Sequence, residues 1–92
     1  MGKITLDGYI IVPASDLEAI KAALVIHIRL TREERVCMEF KVVQDSQNPH
    51  RFSVYEEFEN EDVFKAHQTR VASSDWGRIA KHVERHYTIT TE

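Results

Sequence analysis

Two hydrophobic periodicities alternate along this chain, and their order restricts its fold more than any other feature of the sequence. Every second residue is apolar in four segments, which is typical of β-strands buried on one side. Two other segments are apolar at every third or fourth residue, as amphipathic helices are. The strand segments begin near Lys3, Val36, Phe52 and Glu84, and the helical segments near Asp16 and Asn60. The predicted order is therefore β-α-β-β-α-β.

Several local signals define where these elements begin and end. Pro13 ends the first strand, and Ser15-Asp16-Leu17-Glu18 matches a capping box. The first helix is therefore predicted from about Asp16 to about Arg32. Asn60 and the segment Ser73-Ser74-Asp75 are further cap signals, so the second helical segment is predicted to divide into two helices.

The element order predicts both the fold class and the number of domains. A β-α-β-β-α-β chain is typical of the ferredoxin-like α+β arrangement, a four-stranded antiparallel sheet with helices on one face. Ninety-two residues suffice for one such domain and are too few for two. We therefore predict a single domain over residues 1–92.

Composition excludes several classes of protein. The net charge is -3, and the 12 basic residues are interleaved with 15 acidic ones, which argues against a nucleic-acid binder. Segments of roughly 20 apolar residues, which a membrane helix needs, are absent from the sequence. The amino terminus lacks the features of a signal peptide, so we expect a cytoplasmic protein.

Metal binding is not predicted. The single cysteine, Cys37, cannot form an internal disulfide or a cysteine-rich zinc site. His82 and His86 are four residues apart, which suits a metal on a helix, but strand four is expected to begin between them and no third ligand is evident.

One segment of the sequence resembles a known family. Tyr55-Glu56 lies in the third strand, a polar helix start follows, and His67 comes eleven residues after Glu56. This pattern resembles the antibiotic biosynthesis monooxygenase domain family of the dimeric α+β barrel superfamily. Thr31-Arg32-Glu33-Glu34 also follows the family pattern, and the resemblance extends from Leu6 to Ile89. Arg35-Val36 departs from it, because the family usually has Gly or Pro-Gly there, so we expect a differently built turn.

The resemblance implies a ferredoxin-like fold, a homodimer whose two sheets form a barrel, and a small-molecule pocket between sheet and helices. Enzymes of this family include oxygenases that act on aromatic polyketides and quinols without a metal or flavin, so no cofactor is expected. Relatives include haem-degrading enzymes, which would want an Asn where strand one offers Asp7. Another relative is an isomerase of a phosphorylated autoinducer sugar, which carries a His near the position of His27.

The strand alternation bears on dimerisation independently of the resemblance. One sheet face would carry Tyr9, Ile11, Cys37, Val43 and Tyr55 among polar residues. Either solvent or the sheet of a second copy could cover this mixed face. Both interpretations stay open from the pattern alone.

Glu56 and His67 are the leading catalytic candidates. Glu56 shares a strand face with the apolar residues that helices should cover, so its carboxylate needs a partner or a proton. His67 lies on the apolar side of the next helix and could be that partner. Such a pair makes a general base, in which Glu56 orients His67. The alternative is that the pair only ties strand to helix.

Other candidates surround this pair. His27 lies among apolar residues of the first helix, where a core role competes with a catalytic one. Trp76 and Phe64 could form the apolar wall of a substrate pocket, and for Trp76 a role in the core or in a dimer interface stays equally open. Tyr55 could hydrogen-bond a quinol oxygen if it faced the pocket, although its strand position favours the opposite face.

Three functions are consistent with these residues. The leading hypothesis is a cofactor-independent monooxygenase-like enzyme that acts on a small quinol, phenol or polyketide-like aromatic. The second is an isomerase of a phosphorylated sugar, which would use His27 and His67 and bind phosphate through Arg51 or Lys65. The third is a dimeric protein that binds a small ligand without catalysis.

Overall fold

The computed structural model describes residues 2–34 and 37–92, and of Cys37 it describes the backbone alone. The elements are β1 (Ile4–Ile11), a 3-10 turn (Ala14–Asp16), α1 (Leu17–Arg32), β2 (Cys37–Gln44), β3 (Arg51–Phe58), α2 (Glu61–Ala72), α3 (Asp75–Ile79) and β4 (Glu84–Thr91). The predicted β-α-β-β-α-β order is confirmed, including the division of the second helical segment. The predicted turn at Arg35-Val36 lies outside the described residues.

The four strands form one antiparallel sheet in the order β2-β3-β1-β4. Leu6 of β1 lies opposite Glu56 of β3 on one side and Ile89 of β4 on the other. The helices contact this sheet from the side of Leu6 and Glu56, which confirms the ferredoxin-like α+β fold. The connection β1-α1-β2 crosses over β3, because β3 lies between β1 and β2 in the sheet.

Apolar residues of the sheet and helices form one core between the two layers. Its largest fully buried side chains are Leu6, Val12, Ile20 and Phe58. Four polar residues are buried with them, namely His27, Thr31, Glu56 and His67. Because burying polar groups is costly unless they are paired, these four residues mark where packing alone does not explain the sequence.

Two of the three predicted helix caps form. The Asn60 side chain accepts a hydrogen bond from the Val63 amide at 3.0 Å, and the Ser74 side chain accepts one from the Gly77 amide at 3.3 Å. The capping box at Ser15 was wrong. The chain begins to turn directly after Pro13, because the Asp16 amide donates to the Pro13 carbonyl at 2.9 Å. Ser15 therefore lies inside the 3-10 turn rather than at the helix start.

The opposite sheet face carries Tyr9, Ile11, Val43 and Tyr55 as predicted, whereas the side chain of Cys37 lies outside the described part of the chain. Tyr9 stacks on the His86 ring with centroids 4.7 Å apart, and the Arg51 guanidinium lies 3.7 Å from the Tyr9 ring centroid. Tyr55 also lies on this face. No helix among the described residues is long and apolar enough to span a membrane.

Candidate functional site

A cavity of about 210 Å³ lies between the sheet and the helices. Its apolar wall includes Leu24, Phe40, Val42 and Val54. Its polar lining consists of His27, Glu56, His67, Gln68, Arg85 and Tyr87. A small apolar space with a few convergent polar groups is the usual form of a ligand site.

His67 is held at the inner end of the cavity by a carboxylate. Its Nδ1 lies 2.8 Å from Oε2 of Glu34, and its ring packs on Phe58 with centroids 4.8 Å apart. The other Glu34 oxygen accepts a hydrogen bond from Nε of Arg70, whose Nη2 donates to the Thr31 hydroxyl at 3.3 Å. Local geometry helps to explain the network. The Glu34 amide donates to the Thr31 carbonyl at 3.0 Å in the turn after α1, and His67 precedes Arg70 by three residues on α2.

The hydrogen bond to Glu34 determines which nitrogen of His67 is basic. An ionised carboxylate only accepts hydrogen bonds, so the shared proton lies on Nδ1 and the Nε2 lone pair points away from Glu34. Burial lowers the pKa of His67, and the hydrogen bond to Glu34 opposes that effect only in part. The imidazole is therefore neutral near pH 7 and ready to accept a proton at Nε2.

Glu56 lies on the opposite side of the His67 ring from Glu34. Its Oε1 is 3.8 Å from Nε2, too far for a hydrogen bond, and has no hydrogen-bond partner among the described residues. Burial, followed by the charge of Glu34, raises the pKa of Glu56 to about 7. The sequence suggested Glu56 as the carboxylate that orients His67, but the carboxylate in hydrogen-bond contact with His67 is Glu34.

His27 and Trp76 form a stacked pair beside this site. Their ring centroids are 4.8 Å apart with an interplanar angle of 8°, and His27 is 6.5 Å from the His67 ring. Burial, followed by the charge of His67, lowers the pKa of His27 to about 4, so His27 is neutral near pH 7. The pair also borders a second cavity of about 180 Å³ between α1 and α3.

Two predicted binding residues do not line the cavity. Phe64 packs against Phe58 in the core, with ring centroids 5.3 Å apart. Tyr55 projects from the opposite sheet face, where its hydroxyl donates to Glu57 at 2.6 Å. Side-chain alternation explains why Tyr55 is outside the cavity, because Tyr55 and Glu56 are adjacent in β3 and must point to opposite faces.

The proposed phosphate ligands also lie elsewhere. Arg51 is on the opposite sheet face, over Tyr9. Lys65 is exposed on α2 and pairs with Glu61 at 2.9 Å. Neither borders the cavity, so the two cations that the isomerase hypothesis named for phosphate are not placed to bind a ligand there. Nor does any cluster of three or more His, Cys, Asp or Glu residues in the described part of the chain have the arrangement of a metal site.

Comparison with known families now decides the relationship. The family model described as antibiotic biosynthesis monooxygenase matches residues 4–78. The chain belongs to this family. A search of curated proteins found no match.

Solved structures agree with this membership of the antibiotic biosynthesis monooxygenase family. A proposed antibiotic biosynthesis monooxygenase from Nitrosomonas europaea is 21% identical with a TM-score of 0.77, over 99% of this chain and 88% of that one. A second such protein, from Deinococcus radiodurans, is 23% identical with a TM-score of 0.65, over 98% and 89%. A protein from Bacteroides thetaiotaomicron, suggested to be an oxidoreductase, is 16% identical with a TM-score of 0.76, over 99% and 98%. At these identities the likeness shows the fold.

Sequence reasoning missed three polar residues of this family member's cavity. Gln68 follows His67 on α2, and Arg85 and Tyr87 lie on β4, beyond the segment that the family model matches. The Arg85 guanidinium donates to the carbonyls of Val83 at 3.2 Å and Ala80 at 3.3 Å. The alternation in β4 could have indicated Arg85 and Tyr87, because both share the strand face that points toward the helices.

Proposed function

We propose that this protein is a cofactor-independent monooxygenase acting on a small phenol or quinol, with His67 as general base. The observation that carries the proposal is the His67 ring, which is neutral, held at Nδ1 by Glu34, and has its free Nε2 beside the cavity. Membership of a family described as monooxygenases supports the same reaction class.

The first step removes the phenolic proton. The O–H bond of the substrate breaks, and Nε2 of His67 takes the proton while Glu34 stabilises the resulting imidazolium. An electron-rich phenolate, unlike a neutral phenol, can transfer one electron to O₂. Glu56 lies within reach of the same oxygen region and in its neutral form can donate a hydrogen bond to a second substrate oxygen.

The later steps consume O₂ and release water. Superoxide combines with the phenoxyl radical to form a carbon–oxygen bond, and His67 returns its proton to the terminal oxygen of the peroxide. Loss of the ring hydrogen as a proton then breaks the O–O bond and expels hydroxide. The proton and hydroxide form water, so one phenol and one O₂ yield one quinone and one water.

The size of the cavity restricts the substrate. An apolar cavity of about 150 Å³ in another protein holds benzene, and this cavity measures about 210 Å³. One substituted ring therefore fits. We propose monocyclic phenols and quinols as substrates in preference to a polycyclic polyketide.

Oxygen uptake by metal-stripped protein tests the proposal. Wild-type protein should consume one O₂ per substituted hydroquinone, and His67→Ala should lower the rate by about 10²-fold or more. His82→Ala is the matched control, because His82 is exposed and outside the cavity. Uptake that survives in His67→Ala would remove His67 from the reaction. Saturable binding without uptake would favour the ligand-binding alternative.

We further propose that the protein acts as a homodimer through the sheet face opposite the helices. This face carries Tyr9 and Ile11, both partly buried, and Val43, which is 60% exposed in the single chain. A second copy would cover these apolar groups, as the sequence resemblance implies. Sedimentation should give a dimer mass, and Val43→Glu should shift it toward the monomer, whereas Val25→Glu on α1 should not.

A further inference from the structure

Two residues of β4 border the outer part of the cavity. Arg85 and Tyr87 project toward the helices from alternate positions of the strand. Tyr87 pairs with Gly8 of β1, where a side chain would approach the Tyr87 Cα to 2.9 Å and the His86 carbonyl oxygen to 1.9 Å. Gly8 thus allows β4 to lie close to the cavity and leaves no side chain between Tyr87 and β3.

Arg85 is held in place without being neutralised. Two of its N–H groups donate to the Val83 and Ala80 carbonyls, which fixes the guanidinium plane. Three N–H groups remain, one of them within hydrogen-bond reach of the Tyr87 hydroxyl, and no described carboxylate lies within ion-pair distance of Arg85. A fixed guanidinium with free donors is well suited to bind a carboxylate through two parallel hydrogen bonds.

The inner end of the cavity, in contrast, suits an uncharged group that donates a hydrogen bond. Oε1 of Glu56 belongs to a side chain that is only 10% exposed and lacks a hydrogen-bond partner among described residues. Nε2 of His67 is a second acceptor beside it. Nε2 needs a donor such as a hydroxyl group, the neutral Glu56 carboxyl can exchange a hydrogen bond with the oxygen of that group, and the nearby Glu34 carboxylate repels an anion.

We propose that the substrate ring carries an ionised carboxylate, which Arg85 binds at the outer end of the cavity while the ring hydroxyl meets His67 and Glu56 at the inner end. The Tyr87 hydroxyl, beside Arg85, offers a further donor to the same carboxylate. This inference rests on the proposed function for the position of the hydroxyl group. It identifies the substrate class as monocyclic hydroxybenzoates.

Anaerobic calorimetry with two probes tests the inference without requiring turnover. The probes are 2,5-dihydroxybenzoate and its methyl ester, which share the ring and hydroxyl groups and differ in charge. Wild-type protein should bind the acid about tenfold or more tightly than the ester, the scale of one charge-assisted hydrogen-bonded contact. Raised salt should weaken binding of the acid alone.

Variants assign this preference to Arg85. Arg85→Gln should abolish the preference and leave ester affinity unchanged, whereas Arg85→Lys should keep part of it. Arg29 is an exposed arginine on α1 outside this cavity, so Arg29→Gln should prefer the acid over the ester as strongly as wild type does. Equal affinity for acid and ester, a preference that survives in Arg85→Gln, or binding of neither probe would overturn the inference. Arg85-dependent binding with no O₂ uptake would instead refute the proposed reaction and leave the inference standing.

Discussion

Glu56 is a buried carboxyl group that the fold stabilises in its neutral form. Burial and the charge of Glu34 raise its pKa to about 7 from the ordinary 4.5. Between pH 4.5 and pH 7 the Glu56 carboxyl is protonated in the folded state and ionised in the unfolded state. The contribution of Glu56 to stability is therefore most favourable below pH 4.5 and declines as pH rises to 7.

Replacement of Glu56 by Gln should remove this pH dependence. From pH 4.5 to pH 8, the unfolding free energy of Glu56→Gln should rise relative to wild type by about 2–3 kcal/mol, the scale of a pKa shift of this size. Urea unfolding at fixed protein concentration measures the difference. Glu59 is exposed, so the unfolding free energy of Glu59→Gln should depend on pH in the same way as that of wild type. A parallel profile for Glu56→Gln would show that the carboxyl group is ionised throughout.

Replacement of Glu34 by Gln should change the titration of two other residues. The carboxylate of Glu34 raises the pKa of both His67 and Glu56, so its removal should lower both values. Nitrogen and carbon NMR titrations of the two side chains would measure these shifts, and His67-dependent O₂ uptake should fall with them. Glu33→Gln, at the neighbouring exposed position, should leave both unchanged. An unaltered His67 titration in Glu34→Gln would contradict the hydrogen bond.

The sequence predicted the inner residues of the site better than their contacts. Glu56 and His67 were found because strand and helix periodicities place both on buried faces. Glu34 was not assigned a role, because it follows α1 by two residues and meets His67 only through tertiary packing across 33 positions. The alternation in β4 places Arg85 on the inward face, but its anchoring by the Val83 and Ala80 carbonyls depends on the turn before β4, for which the sequence carries no periodicity.

At the scale of elements, the strands were predictable and one cap was not. A strand with a single buried face needs a two-residue alternation, and a slip of one residue would turn every side chain to the other face. The capping box depends instead on where the chain first bends. Pro13 starts a 3-10 turn that places Ser15 one residue too early, so the motif is present in sequence without its hydrogen bonds.

Two alanine substitutions should show by their effect on stability that Asn60 caps a helix and that Ser15 does not. Asn60→Ala should lower the unfolding free energy by about 1 kcal/mol, because the Val63 amide loses its acceptor. Ser15→Ala should change it by less than about 0.5 kcal/mol, as for an exposed surface position. Urea unfolding of both variants measures this contrast. Equal losses would mean that Ser15 caps α1 in solution.

At the scale of the whole molecule, one aromatic pair separates two cavities. His27 and Trp76 line both the cavity beside the sheet and the cavity between α1 and α3. The wall between these spaces is therefore one stacked contact rather than a packed layer. The resemblance implied a pocket between sheet and helices, whereas the cavity between α1 and α3 was not predictable from sequence, since it depends on how separate helices meet.

Trp76→Ala should join the two cavities. The variant should therefore prefer one-ring ligands over two-ring ligands less strongly than wild type does. Binding of 1,4-dihydroxynaphthalene should strengthen relative to hydroquinone, because the second ring gains the space that the indole occupied. Anaerobic calorimetry of both ligands measures the ratio. Ile79→Ala, which enlarges only the cavity between α1 and α3, should leave the ratio as in wild type. An unchanged ratio in Trp76→Ala would show that the indole does not limit ring size.

The cavity residues on β4 are separate in sequence from those around His67. The residues around His67 lie within residues 4–78, which define the family, whereas Arg85 and Tyr87 follow that segment on a strand whose residues are all exposed. Exposed positions tolerate substitution because little packing depends on them. If the proposed roles hold, exchanging this last strand between family members would redirect ligand choice while the residues proposed for proton transfer stay unchanged.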